Sequence, residues 1–442
     1  MLHKYIYILT GILFLAQTAI GQGNSETTAA LSDTGLTYAQ PSSVGLDSSF
    51  IHTKIDSIIR YGIQNHAFPG AQVLAAKDGK IIFHETYGYH TYDSVQPTAS
   101  SDLYDLASVT KIAGALPALM QLVDEGKLDL DKPFSTYWQR WQGIKDKESL
   151  TLREILAHQA GLVPYIVFLN EVIKKNGTIK RRFVKTTPKR GFEQQAYDGL
   201  FVKNRFRNKM YRKIDRSKVL TEKKYLYSGL TFLIYPELVK QITGTDYETY
   251  LQHNIYSPLG ATTLGFRPKT KHYQNKIVPT EQDTLFRHGL TQGWVHDENA
   301  SLLGGVSGNA GLFASATDLA KLMQMYLQYG TYAGKRYFSE ATVKEFTRVQ
   351  YPANDNRRGL GFDKPLLNNA TLPLADAYPA PEAGPDSFGH SGFTGTFLWA
   401  DPKNQLVFIF LSNRVNPTRE NRNLYTLNIR EAVHQVFYQG QL

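Results

Sequence analysis

The chain has 442 residues, enough for one large domain or two ordinary ones, and at 42% hydrophobic and 20% charged it has the composition of a globular protein. It contains no cysteine, which excludes disulfides, thiolate zinc sites and a cysteine nucleophile. The formal net charge of +10 is local: residues 174–224 carry eighteen Lys/Arg against four Asp/Glu, a net +14, so the remainder is slightly acidic. Aromatic residues are not interleaved with these cations as a stacking platform would need, so the pattern does not support nucleic acid as a partner. The segment reads as a solvated basic insertion or lid; the sharper alternative is electrostatic contact with anionic cell-envelope polymers.

In chain order, residues 1–21 read as a secretory signal peptide: Lys4, an apolar run from Tyr5 to Ala16, then the small-x-small site Ala19-Ile20-Gly21. The run is too short to span a bilayer, so the expectation is an exported, periplasmic or extracellular protein. Residues 22–45, rich in Ser, Thr, Gly and Ala, read as a disordered lead-in to a domain over 46–442. Phe50, Ile51, Ile55, Ile58 and Ile59 mark a helix over 48–65. Two strand-like runs, 71–77 and 80–87, flank Asp78-Gly79, a hairpin signal.

The segment YDLASVTKIAGALPALMQLV, residues 104–123, has apolar residues at helical spacing, with Pro117 expected to kink the helix or cost an internal hydrogen bond. Ser108 and Lys111 are three apart and so share a face near its start. Burial there makes the charged form of a lysine costly, and a neutral Lys111 could take the proton of Ser108 and turn it into a nucleophile. Thr151 and Glu154 are spaced as a capping box before His158, whose expected role is to fix the following loop. A helix is predicted over 230–243, interrupted by Pro236 and closed by Gly244. The loop GGVSGNAG, 304–311, lacks the lysine of a phosphate loop and reads as a tight turn feeding a helix over 317–329. Strands over 396–400 and 405–412 and a helix over 424–437 complete the chain. Histidines are scattered, there is no H-E-x-x-H, and neither a metal nor a cofactor is implied.

Three pieces stand in order: Ser108-x-x-Lys111, Tyr227-Ser228-Gly229 and His390-Ser391-Gly392. With the flanking DEGKLDLDKP, ILAHQAGL, ITGTDYETYLQHNIYSPLG and HSGFTGTFLWADP, they resemble the serine β-lactamase and penicillin-binding-protein superfamily, in its class C β-lactamase-like branch, over about residues 46–440. The resemblance implies an α/β (α+β) fold, an antiparallel sheet flanked by helices with a mainly helical region inserted between its strands. It implies a serine hydrolase that forms an acyl-enzyme on an ester or amide, as esterase, D-alanyl peptidase or β-lactamase, with a small-molecule or peptidoglycan-derived substrate. A non-turnover penicillin-binding or envelope-binding protein is the alternative. By position, Ser108 is the nucleophile, and Lys111 and Tyr227 share the roles of general base and acid. The backbone N–H groups of Ser108 and Phe393 form the oxyanion hole, and His390 and Gly392 line the substrate. Gly229 replaces the asparagine of the usual Y-x-N, which removes an amide that contacts substrate and lysine.

Overall fold

The computed structural model describes residues 35–271 and 276–442. The expected signal peptide and the first part of the expected lead-in, residues 22–34, lie outside the described residues. Six strands form the main sheet: β1 (Thr37–Tyr38), β2 (Gly70–Lys77), β3 (Lys80–Gly88), β4 (Phe388–Ser391), β5 (Phe397–Asp401) and β6 (Leu406–Ser412). The helices that position the site are α1 (Ser48–Gln64), α2 (Leu116–Asp124), α3 (Phe206–Asp215), α4 (Tyr235–Thr243), α5 (Ala316–Leu327) and α6 (Ile429–Gln439). The sheet order is β1-β3-β2-β6-β5-β4, antiparallel except for the β1–β3 pair. The chain therefore leaves the sheet after β3 and returns at β4, and the residues between form the inserted region.

Side-chain alternation decides what covers each face. Val73, Ala75, Phe397, Trp399, Phe408 and Phe410 point to one side, where Ile51, Ile55 and Ile59 of α1 and Val433 and Phe437 of α6 pack on them. Leu74, Ala76, Leu398, Ala400, Val407 and Ile409 point to the other and join the larger core of the inserted region, with α5 lying on β2, β5 and β6. Both faces are dry, which is why β6 reads as an unbroken apolar run rather than an alternating one. The β2–β3 hairpin turns through Asp78 at φ 52° and Gly79 at φ 75°, the two positive angles of a type I′ turn.

Several expectations need correction. Residues 37–44 are ordered: β1 pairs with the outer edge of β3, and Pro41–Val44 forms a 3-10 turn before the Asp47 cap of α1. Held by backbone pairing and by the Tyr38 hydroxyl against His84 Nδ1 at 3.0 Å, a two-residue strand is too short to show a strand period in the sequence. Ser108 does stand in the first helical turn, but Tyr104–Asp105 is a strand paired with Phe313 and Ala314, and the helix opens as a 3-10 turn at Ala107–Val109 and a π turn at Lys111–Ala115 before α2. Pro117 falls at the start of α2, and the carbonyls its missing N–H and ring leave exposed are taken up elsewhere. Ala113 O accepts Tyr256 Oη and Ile112 O accepts Tyr326 Oη, both at 2.8 Å. Pro236 likewise stands in the first turn of α4, where it interrupts nothing. The 304–311 loop feeds a strand, Leu312–Ala314, before α5. The C-terminal helix is broken at Asn428, which has φ 48°.

The basic segment is folded, with a three-stranded sheet (Val184–Lys185, Gln194–Tyr197, Leu200–Val202) and α3. Val184, Ala196, Val202, Phe206, Met210 and Ile214 enter the main core, so the cations occupy only its outer side. Gln194 and Ala196 also hold the Glu298–Leu302 helix, through Gln194 Nε2 to Leu302 O and Ser301 Oγ to Ala196 O.

His434 of α6 is buried between the sheet and Tyr438, stacked on Phe408 at 4.7 Å. Burial pushes its pKa down from 6.5 to about 3. Between those values the unfolded chain binds a proton that the folded one does not, so this stability is present above pH 6.5 and lost as pH falls toward 3. His434→Leu is expected to lose less melting temperature than the wild type between pH 7 and pH 4.5, measured by thermal unfolding; an equal loss would show that His434 does not contribute to acid lability.

Candidate active site

Ser108 stands in the 3-10 turn ahead of the π turn. The residue before it, Ala107, has φ 45°, a strained angle for a side chain. Asp105 holds that turn: Oδ1 accepts the Ala107 N–H at 2.8 Å and Oδ2 accepts the His296 N–H at 2.6 Å. Burial pushes the Asp105 carboxyl up, opposed by these hydrogen bonds. Lys111 is 2% exposed, and its Nζ lies 3.0 Å from Ser108 Oγ. The same nitrogen reaches Asn309 O at 3.3 Å and faces the rings of Tyr227 and Phe232 at 5.2 and 5.4 Å. Among the described residues no carboxylate lies within ion-pair distance of it.

Tyr227 arrives on an irregular segment that His158 fixes at two points. His158 O accepts the Leu226 N–H at 2.9 Å and its Nδ1 accepts the Ser228 N–H at 3.2 Å. Accepting at Nδ1 places the proton of the neutral ring on Nε2. Burial, with Arg358 and Lys111 nearby, holds its pKa well below the usual histidine value. The His158 and Tyr227 rings are 4.5 Å apart. Gly229 donates to Pro164 O, and a Cβ built there meets nothing within 4 Å, so the position usually held by asparagine is open space.

The third piece comes from the end of β4 and the turn into β5. His390 lies 6.1 Å from Tyr227, ring to ring, and its Nδ1 donates to Ser391 O at 2.7 Å, leaving Nε2 as a bare acceptor. Burial and the charges of Arg358 and Lys111 push its pKa to about 3, so it is neutral at physiological pH. Thr394 Oγ1 donates to Asp105 O at 2.6 Å and Thr396 Oγ1 to Leu106 O at 3.1 Å, clamping this turn to the Ser108 turn. Gly392 is what lets them approach: an added Cβ would stand 2.1 Å from Thr396 Oγ1 and 2.5 Å from Leu106 O. Arg414 Nε donates to Phe393 O at 2.8 Å and fixes that peptide. The backbone N–H groups of Ser108 and Phe393 find no acceptor among the described residues.

Ser108 and Phe393 line a cavity of about 370 Å³ with Tyr165, Leu285, Asp297 and Asn309. The Tyr227 Oη, His390 Nε2 and His158 Nε2 are buried without a hydrogen-bond partner among the described residues. All three sequence pieces thus converge. Sequence reasoning passed over Asp105, Asn309 and Arg358, whose guanidinium pairs with Asp363 at 3.0 Å and faces Tyr227 at 5.6 Å. The only visible sign was polar side chains set in otherwise apolar or glycine-rich text. No group of three or more acidic or histidine side chains is placed to hold a metal among the described residues.

Comparison with known proteins adds that a family profile described as Beta-lactamase matches residues 55–432. A Salmonella gallinarum protein provisionally named D-alanyl-D-alanine carboxypeptidase is 31% identical over 408 residues, 86% of each chain. A penicillin-binding-protein homologue from Caulobacter crescentus superposes with TM-score 0.61 at 19% identity, covering 87% of this chain and 97% of that one. EstCE1, a hydrolase with promiscuous acyltransferase activity, gives TM-score 0.61 at 18% identity, covering 87% and 99%.

If Lys111 and Tyr227 serve one proton path, their losses overlap. Lys111→Met and Tyr227→Phe are each expected to lower kcat for ester hydrolysis by about 10²–10⁴-fold, with the double variant within about tenfold of the worse single one. Losses that add in free energy would assign them to independent steps.

Proposed function

The chain belongs to the β-lactamase family of serine hydrolases, and from that premise we propose that it is an exported enzyme that cleaves esters or amides through an acyl-serine intermediate at Ser108. The observation that carries this reading is the 3.0 Å approach of the buried Lys111 Nζ to Ser108 Oγ, beside two backbone N–H groups with no acceptor. Ser108 Oγ attacks the acyl carbonyl as its proton passes to the Lys111–Tyr227 pair. The oxyanion forms against the N–H groups of Ser108 and Phe393, where one such donor contributes about 10²–10³ in kcat. The leaving oxygen or nitrogen departs with the proton. Water then attacks the acyl ester by the reverse path and frees Ser108. Export rests on the residue 1–21 pattern.

Within the family's chemistry the site favours simple acyl groups. A neutral His390 offers no cation to a substrate carboxylate, and the open space at Gly229 offers no amide to an acylamide side chain. A hydrogen bond to a charged group contributes about 1.5–3 kcal/mol, roughly tenfold to a hundredfold in rate or binding. Short acyl esters should therefore turn over at measurable rates and penicillins and cephalosporins slowly or not at all. Gly229→Asn with His390→Lys should move the ratio toward β-lactams, since the open space at 229 accepts the side chain. Efficient nitrocefin hydrolysis by the unmodified protein, without esterase activity, would reject this reading.

A further inference from the structure

The cavity beside Ser108 is unevenly furnished. Tyr165, Val167, Leu285 and Phe393 line it and are each 43–50% exposed, unusual for side chains of this size brought together on one wall. Its one lining cation, Arg419, is already held by two carboxylates, Glu281 at 2.6 Å and Glu298 at 2.8 Å. Asp297 is different. Its Oδ1 accepts the Ala300 N–H at 2.7 Å and Asn309 Nδ2 at 3.1 Å, while its Oδ2 has no partner among the described residues. Asn309, whose side chain bonds Asp297, gives its backbone carbonyl to Lys111, so one residue links this carboxylate to the Ser108–Lys111 pair.

Asp297 is half-buried, and a carboxylate on the wall of a half-apolar cavity that Ser108 also lines favours a cation with one or more N–H donors. The apolar wall favours a hydrophobic group on the same molecule. A cavity of about 370 Å³ stands at the lower end of the ~300–1,000 Å³ typical of ligand sites, which suits one residue rather than a polymer. We propose that Asp297 is a specificity-determining residue that binds the protonated amine of an acyl donor, so that the preferred substrates are esters or amides of hydrophobic amino acids with a free amino group. The inference rests on Ser108 being the acyl-forming serine. The bond broken is the ester or amide on the amino acid's carboxyl carbon, and Asp297 exchanges no proton in the step.

Asp297→Asn separates binding from scaffolding, because the amide oxygen can still accept from Ala300 and Asn309 while the free carboxylate charge is gone. The probes are p-nitrophenyl esters or p-nitroanilides of phenylalanine, in both hands, each as the free amine and as its N-acetyl derivative. The wild type is expected to prefer the free amine in kcat/KM by roughly tenfold or more, and the preference should fall as pH rises past ~8, where an α-amino group loses its proton. In Asp297→Asn the ratio should collapse. A ratio unchanged by the substitution, or a wild type that prefers the acetylated probe, overturns the proposal. Should the variant not fold, inhibition of wild-type ester hydrolysis decides: phenylalaninamide must compete better than N-acetylphenylalaninamide. Turnover of neither probe by the wild type also overturns it. Covalent labelling of Ser108 by a fluorophosphonate then shows whether the acyl-serine reading survives.

Discussion

The 3.0 Å approach of a buried lysine amine, Lys111 Nζ, to the Ser108 hydroxyl is the contact around which the centre of the molecule is arranged. Lys111 is buried with a serine oxygen, a peptide carbonyl and two aromatic faces for company. The backbone around the pair is irregular: Ala107 has φ 45°, a 3-10 turn carries Ser108, and a π turn begins at Lys111.

The surrounding fold supplies what keeps those turns in place. Asp105 fixes the Ser108 turn, and Thr394 and Thr396 tie it to the β4–β5 turn. His158 holds the Tyr227 segment from the other side through a backbone carbonyl and a ring nitrogen. The sheet contributes a fixed register: β4 pairs with β5 from Phe388–Ala400 to Ser391–Phe397, and the turn between them is clamped to the Ser108 turn. The inserted region contributes Ser108, Lys111, Tyr227 and Asn309 and the β4–β5 turn contributes Phe393, so the candidate site lies at the boundary between sheet and insertion.

Much of this could be read from the sequence because it is local. The Asp78-Gly79 hairpin, the Thr151–Glu154 capping box and the pairing of Ser108 with Lys111 all depend on residues within four positions of one another. The motif order of Ser108, Tyr227 and His390 carried the fold class through resemblance. What could not be read depends on distant partners. Pro117 looks like a helix breaker until Tyr256 and Tyr326 are seen to take the carbonyls beneath it. The basic segment looks like a lid because its charges are conspicuous and its inward residues are spread among three short strands and a helix. Asn309 sits in a loop whose glycines dominate its appearance, and only the fold brings its carbonyl to Lys111.

The central claim is a covalent acyl bond to Ser108, supported by the neighbouring amine. Its most direct test is intact-mass analysis of the protein quenched during turnover of a short acyl ester, followed by peptide mapping. The account predicts a mass increase equal to one acyl group less one hydrogen, carried by the peptide that contains Ser108 and absent in Ser108→Ala. An adduct on a different residue, or ester turnover that persists in Ser108→Ala, would contradict it.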